Sequence, residues 1–136
     1  LSAGTHMFKK GGNELAKEGL CAFVGPSLGS KSKIELKNKS FTTPAELHKA
    51  GVPVSIITDA PVIPLQYLPM CAGLAADAGL DREAAWKAIT INPATALGIA
   101  DRVGSLEVGK DADIVILDNE FNVRKTIIGG KIKYES

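Results

Sequence analysis

Ile89-Thr90-Ile91-Asn92-Pro93-Ala94-Thr95-Ala96-Leu97-Gly98-Ile99-Ala100-Asp101-Arg102-Val103-Gly104-Ser105-Leu106-Glu107-Val108-Gly109-Lys110-Asp111-Ala112-Asp113-Ile114-Val115-Ile116-Leu117-Asp118 is the stretch in which the chain changes character. Asn92 is a capping residue type, Pro93 suits a first helical position, and Gly98 suits a stop, so residues 92–97 are predicted to be a short helix. Beyond Gly104 the pattern turns to short strands at 105–108, 113–117 and 123–128, then a Gly129-Gly130 turn and a strand over 131–134. Asp111 and Asp113 have the character of turn-making residues. The change falls near residues 99–104.

Upstream, Asn13 to Glu18 predicts a short helix stopped at Gly19, and Leu20-Cys21-Ala22-Phe23-Val24 is an apolar run ended by Gly25-Pro26. Such a run reads as a strand buried on both faces. Thr43, a capping candidate, and Pro44 open a helix that closes at Gly51, and Val52 to Asp59 follows as a second buried strand. Residues 65–78 predict an apolar helix with Pro69 near its first turn. Asp81 caps another over 81–89, with Ala85, Trp86 and Ile89 at helical spacing. Two thirds of the chain therefore read as βα units of a parallel sheet and the tail as antiparallel β. Neither part is complete by itself, because two parallel strands cannot bury their faces and edges.

Composition narrows the function classes. The chain has 136 residues, 16 Lys+Arg against 15 Asp+Glu, and a net charge of +1. Without a concentrated basic face, nucleic acid is not expected as a partner. The local cluster Lys31, Lys33, Lys37, Lys39 reads as a solvated loop. A complete (β/α)₈ barrel, at about 250 residues, exceeds this length. Cys21 and Cys71 read as reduced core residues, which predicts a cytoplasmic protein. Residues 60–76 are the longest uncharged stretch, but Pro61, Pro64 and Pro69 interrupt it, so no membrane-spanning helix is expected. Residues 1–7, ending in Thr5-His6-Met7, read as a cloning remnant; the alternative is that Thr5-His6 belongs to a true strand end.

The stretch from Ile89 to Asp118 resembles the C-terminal end of the metal-dependent amidohydrolase superfamily. Gly130-Lys131 near the end resembles that family's closing strand. Gly51-Val52-Pro53-Val54-Ser55-Ile56-Ile57-Thr58-Asp59-Ala60-Pro61-Val62-Ile63-Pro64 resembles its last barrel strand, in the imidazolonepropionase-like and prolidase-like branch. Val24-Gly25-Pro26-Ser27-Leu28-Gly29-Ser30-Lys31-Ser32 resembles the strand and loop before it. The resemblance implies an α/β fold: a partial (β/α)₈ TIM barrel, its last two βα units over residues 8–100, plus the C-terminal strands of an accessory β-sandwich over 101–136.

The resemblance places Asp59 where the family has a catalytic, metal-contacting aspartate that takes the proton from metal-bound water. A strand-end carboxylate beside a cation suits that task. A turn-making Asp before Pro61 is the plainer alternative. Ser30, Lys31 and Ser32 are candidate substrate-binding residues in the loop at the same barrel face. The family's histidine ligands have no expected counterparts: His6 is assigned to the remnant, and His48 lies on the helix between the two strands as a surface residue. The resemblance thus implies a divalent metal, zinc foremost, in the parent enzyme, and no metal stably held by this chain. It also implies a small-molecule amide or dipeptide-like substrate for the parent.

The expectation is a fragment of a metal-dependent amidohydrolase that cleaves amide-type C–N bonds, inactive by itself. Exposed barrel surfaces predict a homo-oligomer. The alternative is a non-enzymatic truncated paralogue acting as an interaction module. A phosphate-binding module fits poorly, because residues 25–30 lack a Gly-Lys-Ser/Thr cradle.

Overall fold

The computed structural model describes residues 12–25, 41–118 and 122–136. A short helix, α1, occupies residues 12–17 and leads through Gly19 to β1 (Ala22–Val24). Helix α2 (Thr43–Lys49) returns the chain to β2 (Val54–Ile56), which lies parallel to β1 with Ala22 opposite Val54 and Val24 opposite Ile56. This is the helix-separated parallel pair that the sequence predicts.

A 3₁₀ turn (Leu65–Tyr67) runs into α3 (Leu68–Asp77), then α4 (Arg82–Lys87) and α5 (Ile91–Ala96) follow. The predicted helix over 65–78 therefore begins as 3₁₀ and becomes α only at Leu68. Pro69 sits in the first turn, where its missing N–H costs no helical hydrogen bond. Asp81 caps α4 as predicted, accepting from the Ala84 N–H at 3.0 Å.

Two predicted caps are not made. Thr42 rather than Thr43 precedes α2, with no side-chain cap hydrogen bond. At α5 the cap position is Thr90, also without one, and the Asn92 amide is engaged elsewhere. Asn92 Nδ2 donates to the Val54 carbonyl of β2 at 2.7 Å, across 38 residues of sequence.

The core joins both strands to the helices. Leu47 of α2, Val54 and Ile56 of β2, Cys71 and Ala75 of α3 and Leu80 form one buried cluster. Full burial of each branched aliphatic side chain contributes about 1.5–3 kcal/mol. Burial of Cys71 also pushes its thiol pKa up, the state of an inert core cysteine. Cys21 differs from expectation: it is exposed, because the segment before β1 lies at the surface. The expectation that β1 is buried on both faces is likewise corrected. Phe23 is exposed, and Ala22 and Val24 are only half-buried, whereas all three residues of β2 are buried.

After α5 the chain crosses Gly104 to an antiparallel sheet of β3 (Ile114–Leu117), β4 (Val123–Ile128) and β5 (Lys131–Glu135), in that order. Gly104 has φ 94°, and a Cβ there would meet Ala94 Cβ at 2.8 Å and Ile91 Cα at 3.0 Å, so the chain turns against α5 only because no side chain intervenes.

The strand predicted over 105–108 does not form. Those residues make a loop tied internally instead: Ser105 Oγ donates to Glu107 Oε1 at 2.7 Å and Lys110 Nζ to Ser105 Oγ at 2.5 Å. The loop's ends are joined by Arg102 and Asp111, through an ion pair at 2.8 Å and a bond from the Asp111 N–H to the Arg102 carbonyl at 2.8 Å. Asp113 accepts from the Gly129 N–H at 2.8 Å, a structural use of this aspartate.

Candidate active-site rim

The two parallel strands end at the same rim. The Ala22 N–H donates to the Pro53 carbonyl at 2.9 Å, and the Ile57 N–H to the Val24 carbonyl at 3.0 Å. Gly25 follows at once. A Cβ there would lie 2.0 Å from the Ile57 carbonyl oxygen, so only glycine lets the β1 exit pass this close to β2. The opposite border of β2 is taken by helical segments: the Ile56 N–H donates to the Ala88 carbonyl at 2.9 Å, and Asn92 holds the Val54 carbonyl. Both borders of β2 therefore carry bonds, which fixes its position along the strand direction.

Asp59 is carried beyond this fixed strand by a turn. Thr58 is buried, and its carbonyl accepts from the Ile63 N–H at 3.3 Å, while the Asp59 carbonyl accepts from the Val62 N–H at 2.9 Å. Buried Ile63 anchors the far side of the turn. Asp59 has φ 53°, and among the described residues it is alone in combining a side chain with positive φ. Aspartate tolerates that conformation better than most residues, and such strain is typical of turns that present a functional group. The Asp59 side chain faces solvent at the strand-end rim.

The remaining sequence candidates are placed as follows. Ser30, Lys31 and Ser32, and the whole of residues 1–7 with His6, lie outside the described residues. His48 is exposed on α2. Among the described residues no group of three or more His, Cys, Asp or Glu side chains could hold a metal ion. Asp59 by itself does not make a metal site.

Two residues of note at β2 escape sequence reasoning. Asn92 is one; the Asn-Pro pair reads as a helix cap until its partner strand is known. Ser55 is the other. It lies in the middle of β2 with no exposed surface, and its Oγ has no hydrogen-bond partner among the described residues. No local pattern marks a serine inside an otherwise apolar strand as unpartnered.

The family model described as "Amidohydrolase family" matches residues 10–133. The chain belongs to the amidohydrolase family. An amidohydrolase structure from Thermotoga maritima superposes with a TM-score of 0.88 and 36% identity, over 96% of this chain and 35% of that one. An adenosine deaminase from Xanthomonas campestris, solved with bound zinc, matches at a TM-score of 0.64 and 26% identity, over 93% of this chain and 35% of that one. Among curated relatives, the imidazolonepropionase of Thermoplasma acidophilum is 37% identical over 82 residues, 59% of this chain and 20% of its own length. The N-acetylglucosamine-6-phosphate deacetylase of Danio rerio is 47% identical over 53 residues, 39% of this chain and 13% of its own length. The chain thus spans a fifth or less of these two curated relatives.

Proposed function

We propose that this chain is the C-terminal part of an amidohydrolase acting on a small-molecule C–N bond, and that it contributes to that active site without completing it. The observation that carries this reading is the strand-end rim. β2 is fixed on both borders, and the turn after it presents Asp59 at the C-terminal end of a parallel strand, the face on which barrel enzymes carry their chemistry. Membership of the amidohydrolase family supports the reaction class, and relatives named as a deacetylase and an imidazolonepropionase support a small amide-type substrate.

Asp59 serves in this reading as the proton-accepting carboxylate of the rim. Ser30, Lys31 and Ser32, which follow β1 in the sequence, are proposed to contact substrate. A divalent metal belongs to the parent site in this proposal, and zinc in the Xanthomonas deaminase supports its identity. The described residues do not by themselves fit an ion, so no catalytic step is derived through one. The β3–β5 segment is proposed to belong to an accessory β-sandwich, with residues 8–100 forming the barrel portion.

The test is a comparison of the 136-residue chain with the longer polypeptide that contains it, assayed for hydrolysis of N-acetylated sugars, ring amides and dipeptides with zinc or manganese supplied. The expected result is turnover by the longer polypeptide, lost on Asp59→Asn, and none by the chain by itself. Metal-dependent turnover by the isolated chain would overturn the division of the site.

No helix among the described residues is long and apolar enough to cross a membrane. A cytoplasmic setting is proposed from the reduced cysteines, Cys21 and Cys71 being free thiols.

A further inference from the structure

The turn that carries Asp59 is held at two points. Residues 59–62 are exposed and so are residues 64–67, with Ile63 buried between them at 5% exposure. Thr58, on the near side of the turn, is buried as well. The two buried residues meet through their backbones: the Ile63 N–H donates to the Thr58 carbonyl at 3.3 Å, and inside that closure the Val62 N–H donates to the Asp59 carbonyl at 2.9 Å. Four exposed residues, Asp59 first among them, are thus clamped between two buried ones.

Core packing does not account for Ile63. Among the described residues, the cluster that joins β2 to α2, α3 and α4 takes in Val54 and Ile56 but not Ile63, although Ile63 is buried to the same degree as Ile56. Its burial acts on the turn instead. This chain's own residues seat it, so no further segment is needed to explain why it is covered. The backbone of Asp59 shows what the clamp does, because a residue with a side chain keeps a φ of 53° only where its surroundings over-determine it. Below Asp59 the strand is fixed by the Ile57 N–H on the Val24 carbonyl; beyond it, the fixed point is Ile63.

We propose that Ile63 is a positioning residue of the site: its buried side chain pins the far end of the turn and so holds Asp59 in the left-handed conformation from which its carboxylate faces the rim. The inference rests on the proposed role of Asp59 as proton acceptor. Such a carboxylate must lie within hydrogen-bond reach of the proton it takes, and a misplacement of about 1 Å can cost about 100-fold in rate. Without the buried side chain at position 63, the exposed turn is free to relax Asp59 to negative φ and swing the carboxylate away. Ile63 touches no reacting atom, so its effect falls on kcat and not on substrate binding.

Two measurements test this. In the 136-residue chain, Ile63→Ala is expected to lower the hydrogen-exchange protection of the amides at positions 62 and 63 by about tenfold or more, while the Ile56 and Ile57 amides, bonded to Ala88 and Val24, keep theirs. In the longer polypeptide, on whichever of the N-acetylated sugars, ring amides or dipeptides it hydrolyses, the same substitution is expected to lower kcat by about 10–100-fold with KM within about twofold. Ile63→Val, which keeps the buried branch, is expected to retain kcat within about threefold, and the core truncation Leu47→Ala to leave kcat of the folded enzyme unchanged. Should Ile63→Ala fail to fold, Ile63→Thr, which keeps the β-branch, takes its place in both measurements. An unchanged kcat in the position-63 variant, a fall in kcat shared by Leu47→Ala, or protection lost at Ile56 and Ile57 as much as at Val62 overturns the inference alone. Absent turnover in the longer polypeptide, or turnover that survives Asp59→Asn, overturns the reading of the site and the inference with it.

Discussion

The helical part and the antiparallel sheet each contain an apolar strand, yet among the described residues only the helical part has an interior. Every buried residue among those described lies at or before Ala94, and none lies in β3, β4 or β5. Ile114-Val115-Ile116-Leu117 is wholly aliphatic, whereas Val54-Ser55-Ile56 carries a serine at its centre. Val54-Ser55-Ile56 is buried throughout because α2, α3 and α5 pack on it, and Ile114-Val115-Ile116-Leu117 is half-open because among the described residues no helix layer packs on its sheet. Apolar strands gain stability in proportion to what covers them, not to their composition.

The largest expected effect would break the helical part at its rim. Gly25→Ala sets a methyl group against the Ile57 carbonyl at a positive φ and should cost about 3 kcal/mol or more, read as a fall in the urea midpoint. The contrast between the two regions is tested directly by a pair of truncations. Leu47→Ala, in the buried cluster, should cost about 2–5 kcal/mol, whereas Ile132→Ala, on the open sheet, should cost less than about 1 kcal/mol in the single chain. Equal losses would show that the sheet has an interior after all.

Within β2, two substitutions should act in opposite directions. Asn92→Ala removes the donor to the Val54 carbonyl and should cost about 1–3 kcal/mol, while Ser55→Ala removes an unpartnered buried hydroxyl and should stabilise by about 1 kcal/mol. Thermal unfolding of both variants checks the signs.

The smallest effect concerns the loop between the regions. The hydrogen bond from Ser105 and the nearby Lys110 ammonium hold the Glu107 carboxyl below its usual range. A carboxyl lowered on folding contributes stability that is complete above its unfolded value of about 4.3 and is lost as pH falls through the lowered one. The stability difference between the unmodified protein and Glu107→Gln should therefore be steady near neutral pH and vanish in acid. A difference that persists undiminished at pH 2 would contradict the network.

What the sequence made legible follows from how local each signal is. The helices after Thr43, Asp81 and Asn92, the parallel strand pair and the Gly129-Gly130 hairpin rest on short-range patterns, and all are present. Asn92 reads locally as a cap, whose side-chain oxygen would accept from the helix, whereas the fold uses its Nδ2 to donate to a strand 38 residues away. Ser105 to Val108 alternates like a strand, but the Ser105, Glu107 and Lys110 side chains bond one another and hold the segment as a loop. Cys21 looks apolar by its neighbours and is exposed because the segment leading into β1 lies at the surface. At the candidate site, the place of Asp59 just beyond a strand was legible through the resemblance of residues 51–64; its positive φ belongs to a turn closed by Val62 and Ile63, and the two-sided hold on β2 depends on contacts 30 or more residues away.

Gly104 sets the direction in which the tail departs. The polypeptide leaves α5 there with nothing but a hydrogen atom between its backbone and Ala94, so the bearing of the sheet is decided at one point close to its root. A methyl group at that point would tilt the exit by a small angle, and the arm beyond it would magnify the tilt at β5. A single atom thus aims every strand that follows.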